Sequence, residues 1–530
     1  MIPRHRRSAI LGGVSALEGR AEGRAAATRR VRAGRWLEVL VLAVGMASLG
    51  TEIAAARLMA PFFGASTLIW ANTIAVVLVA LSVGYRVGGR MATRRPDGAA
   101  LSSTVLVAAV LLALVPLVAH PFLRLSVRAF DTLSLGAFAA SLFGVLALVA
   151  VPVLLLGTVS PWALRLRVTS VERAGGDAGR LYAISTLGSL AGTFLAALVL
   201  IPHVGTQRTF LAFAGLVALA ALPGAGVRWA PVPALIAAAL ALPVGTVKPA
   251  EEGRVLAEAE TPYQYARVVQ QPDGVRRLEL NEGQAIHSLW RPGTVLTRDY
   301  WDGFLAEPFL ALSRPPSRIA VLGTAGGTVP RAYGRYFPRT QVDAVDIDAR
   351  LFALGRRYLG LTPRPGLREI AQDARPFLRR TLARYDAIFV DAYRQPYIPF
   401  YLTTKEFFAL VRARLHPGGI VVVNVGHPEG SDALERVLSA TMGAVFRHVA
   451  RDPIEPTNTL LCAGNGRLDR AGLIAAASRV PPDVAALALA AAQRVAPPLP
   501  GGDVYTDDRA PVEWLVDASI VRYAAGEGER

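Results

Sequence analysis

Residues 319–348 read IAVLGTAGGTVPRAYGRYFPRTQVDAVDID: an apolar run, a glycine turn, a helical stretch and a second apolar run ending on an acid, Asp346. Glycines let backbone approach a ligand at a helix start, and a carboxylate ending the next strand can accept both ribose hydroxyls. The spacing therefore predicts a nucleotide-binding βαβ unit. Working outward, a helix is expected near 299–312, and further strands near 367–371, 385–391, 418–425, 444–450 and 458–463, with helical stretches between most of them. That alternation predicts a mainly parallel, doubly wound α/β sheet over 299–465, with ligands at the carboxyl ends of its strands. Before it, 263–270 and 276–281 flank a turn at Pro272, Asp273 and Gly274, and residues 251–298 read as a small β-hairpin region. Residues 466–530 read as a helical or extended C-terminal segment.

The first half of the chain has a different solvent. Of 530 residues, 52% are hydrophobic and 18% charged, too apolar for one soluble domain of this length. Apolar segments recur near 37–59, 67–85, 101–120, 136–157, 181–202 and 208–224. Each is near the ~20 residues that a helix needs to cross the hydrocarbon core. Residues 36–248 therefore read as a transmembrane domain of six or seven spans, the seventh stretch (229–247) holding Pro231, Pro233 and Pro243. Residues 1–35 are arginine-rich and lack an apolar run of spanning length, which predicts a disordered basic tail.

The net charge of +17 is almost wholly arginine, since Lys248 and Lys405 are the only lysines. Arg86, Arg90, Arg94 and Arg95 follow the second run, and Arg165, Arg167, Arg173 and Arg180 follow the fourth. With the tail, these place the N-terminus and both loops on the cytoplasmic side of a cell membrane and suit anionic lipid as a partner. Nucleic acid is not an expected partner: zinc motif, aromatic RNA-binding signature and basic zipper helix are all missing. Glu52 and Arg57 lie in the first run, where ionisable groups mark function or snorkel to the interface. Gly188 and Gly192 give the small-xxx-small spacing of closely packed helices. The single Cys462 leaves no intramolecular disulfide, and the seven histidines show no metal-ligand spacing.

Four features fall at strand ends. Gly323, Gly326 and Gly327 follow the first strand of the α/β region, Asp346 ends the second, Asp373 follows the third, and Asp391 ends the fourth. Singly, a glycine turn is a turn and an acid after a strand is a helix cap. Together, in this order, they point to an adenosyl-type ligand, with Asp373 toward the base and Asp391 facing the reacting centre.

Residues 251–465 resemble the polyamine aminopropyltransferases (spermidine synthases), and with the N-terminal spans the chain is similar to the membrane-fused branch of that family. The matching strings are TPYQYA (261–266), LNEGQAIHS (280–288), GTAGGT (323–328), VDID (345–348), QDAR (372–375), YDAIFVDAY (385–393), LTTKEFF (402–408) and LHPGGIVVVN (415–424). RLMAPFFGAS, GYRVGGR and GRLYAISTLGSLAGT in the membrane half match as well, as does TDDRAPVE at 506–513. The resemblance implies a Rossmann-like, class I methyltransferase-type domain. It implies aminopropyl transfer from decarboxylated S-adenosylmethionine, as co-substrate and with no permanent cofactor, to a diamine such as putrescine, giving spermidine and methylthioadenosine. Asp391 would be the catalytic acid that orients the amine and takes its proton. Gln264, Gly323, Gly326, Asp346, Asp373 and Ala374 would hold the adenosyl moiety, with Pro399 beside the adenine. Soluble members of the family commonly form dimers, so a homodimer is expected.

Three positions depart from the family. Asp346 replaces a Glu. Ala325 stands where the glycine loop usually carries an Asp for the donor ammonium, and Arg394 stands where the catalytic loop usually has a second Asp. Replacement charge is sought among Asp299, Asp302, Glu307, Asp507 and Asp508. Two alternatives stay open: an S-adenosylmethionine-dependent methyltransferase on the same fold, and a non-catalytic sensor or transport-linked module. Because the donor is a cytoplasmic metabolite, the C-terminal domain is expected on that side.

Overall fold

A computed structural model describes residues 5–63, 67–132, 136–242, 247–250, 252–281, 285–393 and 398–516. Arg394, Pro243 and residues 517–530 lie outside them. The chain divides into two compact units, one of 1–58, 71–123 and 142–244, the other of 59–70, 124–141 and 245–530.

In the first unit the apolar runs form helices. Among the described residues five are long and apolar enough to cross a membrane: Gly34–Phe63, Ile69–Arg94, Gly98–Leu123, Val171–Val204 and Thr206–Ala225. The pair Ala139–Leu148 and Ala150–Arg167, bent by 51°, makes a sixth if counted as one span. Close packing needs the predicted glycines, since a Cβ on Gly188 would meet the backbone of Leu42 and one on Gly192 that of Met46. Glu38 joins Arg167 at 2.6 Å and Arg180 at 2.7 Å, while the Trp36 indole donates to the Ala220 carbonyl at 2.9 Å. The starts of Gly34–Phe63 and Val171–Val204, the end of the bent pair and the end of Thr206–Ala225 thus lie at one end of the bundle.

The first helix runs from His5 to Phe63 and takes in most of the arginine-rich stretch, as its alanine, leucine and arginine content favours. The seventh apolar stretch yields only an eleven-residue helix, Pro231–Ala241, ended two residues before Pro243.

In the second unit, residues 254–290 form a four-stranded antiparallel sheet that contains the expected hairpin. Its strands are β1 (Arg254–Glu260), β2 (Tyr265–Gln270), β3 (Arg276–Leu280) and β4 (Ile286–Trp290), in that order. The larger sheet holds β5 (Arg318–Leu322), β6 (Gln341–Asp346), β7 (Leu367–Ala371), β8 (Tyr385–Val390), β9 (Leu415–Gly426), β10 (His448–Glu455) and β11 (Asn458–Gly464). Its order is β10-β11-β9-β8-β5-β6-β7. The strands β9, β8, β5, β6 and β7 are mutually parallel, and β11 pairs antiparallel with both β9 and β10. One reversed strand in an otherwise parallel seven-stranded sheet is the Rossmann-like, methyltransferase-type topology expected.

Strand order reverses at β5, which has β6 on one side and β8 on the other, so a crevice opens at the carboxyl ends of these strands. Apolar clusters fill both faces of the sheet. One holds Phe304, Phe309, Tyr333 and Phe389, the other Phe407, Phe408, Ile388 and Met442, all at most 2% exposed. The LTTKEFF block is thus largely structural: Thr404 caps the helix Lys405–Arg414, and both phenylalanines are core. The expected helix near 299–312 is instead three short turns, Tyr300–Asp302, Gly303–Ala306 and Glu307–Leu310. The strand expected at 444–450 runs from 448 to 455, so its far end reaches the crevice.

Candidate active site

A cavity of about 500 Å³ occupies the crevice. Its wall includes Gln264, Gly323, Asp346, Asp373, Ala374 and Asp391, six of the eight residues singled out from sequence. Gly326 and Pro399 are not on it. Gly326 instead packs its backbone N–H on the Ser288 hydroxyl at 2.8 Å. Pro399 caps the turn Phe400–Leu402, whose Tyr401 and Leu402 do line the wall.

The glycine turn is dictated by crowding. Gly323 has φ of +87°, and a Cβ there would meet the Asp391 carbonyl and the Ala392 backbone. Ala325 also takes a left-handed φ, +48°. It turns its N–H to the Asp346 carboxylate at 2.7 Å, and the Asp348 N–H donates to the same side chain at 3.0 Å. Burial pushes Asp346 up to about 6, the neighbouring Asp348 adds to this, and the backbone donors pull the other way. Gln264 reaches Asp348 at 3.5 Å, just behind Asp346. Asp373 caps the helix Ala374–Arg380 through the Arg375 N–H and accepts the Tyr401 hydroxyl at 2.7 Å. The cap reading and the cavity-lining reading therefore both hold for this residue.

Asp391 follows β8 and is held by three donors. The Asn424 amide lies at 2.9 Å, the Trp301 indole at 3.0 Å and the Tyr300 hydroxyl at 3.2 Å from both carboxylate oxygens. Asn424 is held in turn by the Asn458 amide at 2.8 Å. Burial raises Asp391 to about 7 against these hydrogen bonds, so near neutrality it is divided between acid and base forms. His287, on the same wall, is depressed to about 4 by burial and is neutral at pH 7.

Sequence reasoning missed Tyr300, Trp301, Asn424, Asn458 and Glu455. A signal existed for one: Asn424 is a lone amide in the apolar run IVVVNV. Tyr300 and Trp301 precede Asp302, whose carboxylate accepts the N–H groups of Thr297 and Arg298 at 2.9 and 2.8 Å and so fixes the turn that aims them. Of the sequence's candidates for replacement charge, only Asp299 lines the cavity. Asp302 is spent on that turn, Glu307 is buried beside Asp452 and Cys462, and Asp507 pairs with Arg375 at 2.6 Å. Asp508 is exposed and off the wall. Among the described residues no group of three or more His, Cys, Asp or Glu could hold a metal ion.

Residues 307–460 match the family model described as the spermine/spermidine synthase domain. That stretch of the chain is similar to the synthase domain of that family. A probable polyamine aminopropyl transferase of Bifidobacterium longum is 32% identical over 190 residues, covering 36% of this chain and 42% of that protein. A polyamine aminopropyltransferase of Vibrio vulnificus is 33% identical over 118 residues, 22% of this chain and 40% of that protein. The chain therefore spans about two fifths of the length of these relatives. Among solved structures, a probable spermidine synthase from Corynebacterium glutamicum ATCC 13032 is 20% identical, covering 49% of this chain and 100% of its own, with a TM-score of 0.38. The synthase match spans the glycine turn, Asp346, Asp373, Asp391, Asn424 and Glu455, and leaves β1 to β4 and the membrane-length helices outside it.

Proposed function

We propose that the synthase domain transfers an aminopropyl group from decarboxylated S-adenosylmethionine to a small diamine such as putrescine, giving spermidine and methylthioadenosine. The observation that carries the reading is Asp391: a carboxylate buried in the cavity, held by three donors and titrating near 7. In the reaction the amine nitrogen forms a bond to the carbon beside the sulfonium, the carbon–sulfur bond breaks, and its electron pair neutralises the sulfur. The nitrogen loses a proton to Asp391, whose pKa suits a base at neutral pH and whose donors stabilise its charge until then. Base catalysis of this kind contributes about 10²–10⁴-fold, and in-line positioning contributes further. Asp346 would hold the ribose hydroxyls, while Gln264 and Asp373 with Ala374 would complete the adenosyl site.

The bundle would anchor the domain in a membrane, with the arginine-bearing loops on the cytoplasmic side. Six crossings return the chain to the N-terminal side, where the donor is made. Pro231–Ala241 supports six, since eleven helical residues rise about 16 Å against a core of about 30 Å. One observation favours a second reading: Ala325 leaves the glycine turn without a carboxylate for the donor's ammonium, as a methyltransferase using full S-adenosylmethionine would permit. Calorimetric titration of the detergent-solubilised chain with both donors separates them. Tighter binding of the decarboxylated donor supports aminopropyl transfer; tighter binding of S-adenosylmethionine overturns it.

A further inference from the structure

The cavity carries two carboxylates that the reaction at Asp391 does not use. Glu455 ends β10 and Asp299 precedes the Tyr300–Asp302 turn, and both line the cavity. The backbone N–H of Tyr300 faces Glu455, whose Oε1 is buried with no hydrogen-bond partner among the described residues. Asp299 makes no ion pair or side-chain hydrogen bond among the described residues; Arg291 and Arg277 influence it from a distance, as does Asp302. Burial chiefly, and their mutual repulsion at Glu455, disfavour charge on both, which is the condition of carboxylates awaiting a cation.

Tyr300 acts as a ruler. Its backbone N–H faces Glu455 while its hydroxyl donates to both oxygens of Asp391. The two carboxylates are thus separated by one tyrosine, about 7 Å from amide nitrogen to phenol oxygen by standard bond lengths. An extended four-carbon diamine is of similar length, about 6 Å between nitrogens.

We propose that Glu455 and Asp299 bind the distal ammonium of the acceptor while its other nitrogen lies at Asp391. The acceptor class is then a short diamine, and the negative charge absent from position 394 is supplied by β10 and by the segment entering the Tyr300 turn. The assignment deepens the aminopropyl-transfer reading and rests on it for the chemistry, but its binding geometry can be measured without turnover. Glu455 is separated from Asp391 by 64 positions in sequence and by a strand crossover, so no local motif announces the pair.

The test uses the full chain in detergent with methylthioadenosine present, titrated with putrescine and with butylamine, for the unaltered protein, Glu455→Gln and Asp299→Asn. Loss of one charge-assisted hydrogen bond is expected to weaken putrescine about 10- to 100-fold in each variant, with butylamine and methylthioadenosine unchanged. Unaltered putrescine affinity in both variants overturns the proposal, as does equal affinity of the unaltered protein for putrescine and butylamine. Diamine binding that responds as expected, without methylthioadenosine release from the donor, retains the acidic subsite and overturns the catalytic reading instead.

Discussion

Trp301→Phe removes one donor from Asp391 and little else. The indole is 4% exposed and packs on Tyr300 with ring centroids 4.4 Å apart, a contact that phenylalanine largely keeps. The lost bond, 3.0 Å from indole nitrogen to carboxylate, favours the ionised form, so its removal raises the pKa. A hydrogen bond to a charged group contributes about 1.5–3 kcal/mol, and one pKa unit is about 1.4 kcal/mol. Asp391, already at about 7, should therefore move up by about one unit or more. At pH 7 the base form falls from about half to about a tenth, a loss of roughly fivefold in kcat/KM, recovered toward pH 9. Methylthioadenosine release measured from pH 5.5 to 9.5 reads the acid limb in both proteins. A limb that stays in place or moves to lower pH refutes the assignment of Asp391 as a base tuned by Trp301.

Asp346→Asn should weaken methylthioadenosine about 10- to 100-fold by titration calorimetry. In the unaltered protein, affinity should also fall as pH drops through about 6, where Asp346 takes up its proton, a dependence the variant loses. Arg494→Met leaves Asp452 and Glu307 buried without their guanidinium, which lies 2.7 Å from both Asp452 oxygens, and should destabilise the second unit by about 3–5 kcal/mol in denaturant titrations followed by proteolysis. In the bundle, Gly192→Leu drives a side chain into the Met46 backbone and should lower the thermal midpoint of the solubilised chain. Gly179→Leu, facing open space on the same helix, should not.

What the sequence made legible follows periodicity and strand ends. The apolar runs, the βαβ unit and the acids after β6, β7 and β8 are local features, and local features survive folding. The reversed strand β11 and the displacement of β10 are not local, because an antiparallel insertion depends on which neighbour is free at the sheet edge. Tyr300 and Trp301 were obscured by an apolar pattern, 299–312, that suits one helix as well as three short turns. The donor set of Asp391 comes from a loop, a strand end and, through Asn458, a third strand, so only the folded chain assembles it.

The central claim is that Asp391 removes the proton from an acceptor amine. The most direct measurement is methylthioadenosine release from decarboxylated S-adenosylmethionine and putrescine by the full chain and by Asp391→Asn, with donor binding titrated in both. The account predicts release by the unaltered protein, a fall of about 10²–10⁴-fold in kcat in the variant, and donor affinity within a few-fold. Equal turnover in the two proteins, or no release by the unaltered one despite bound donor, would contradict it.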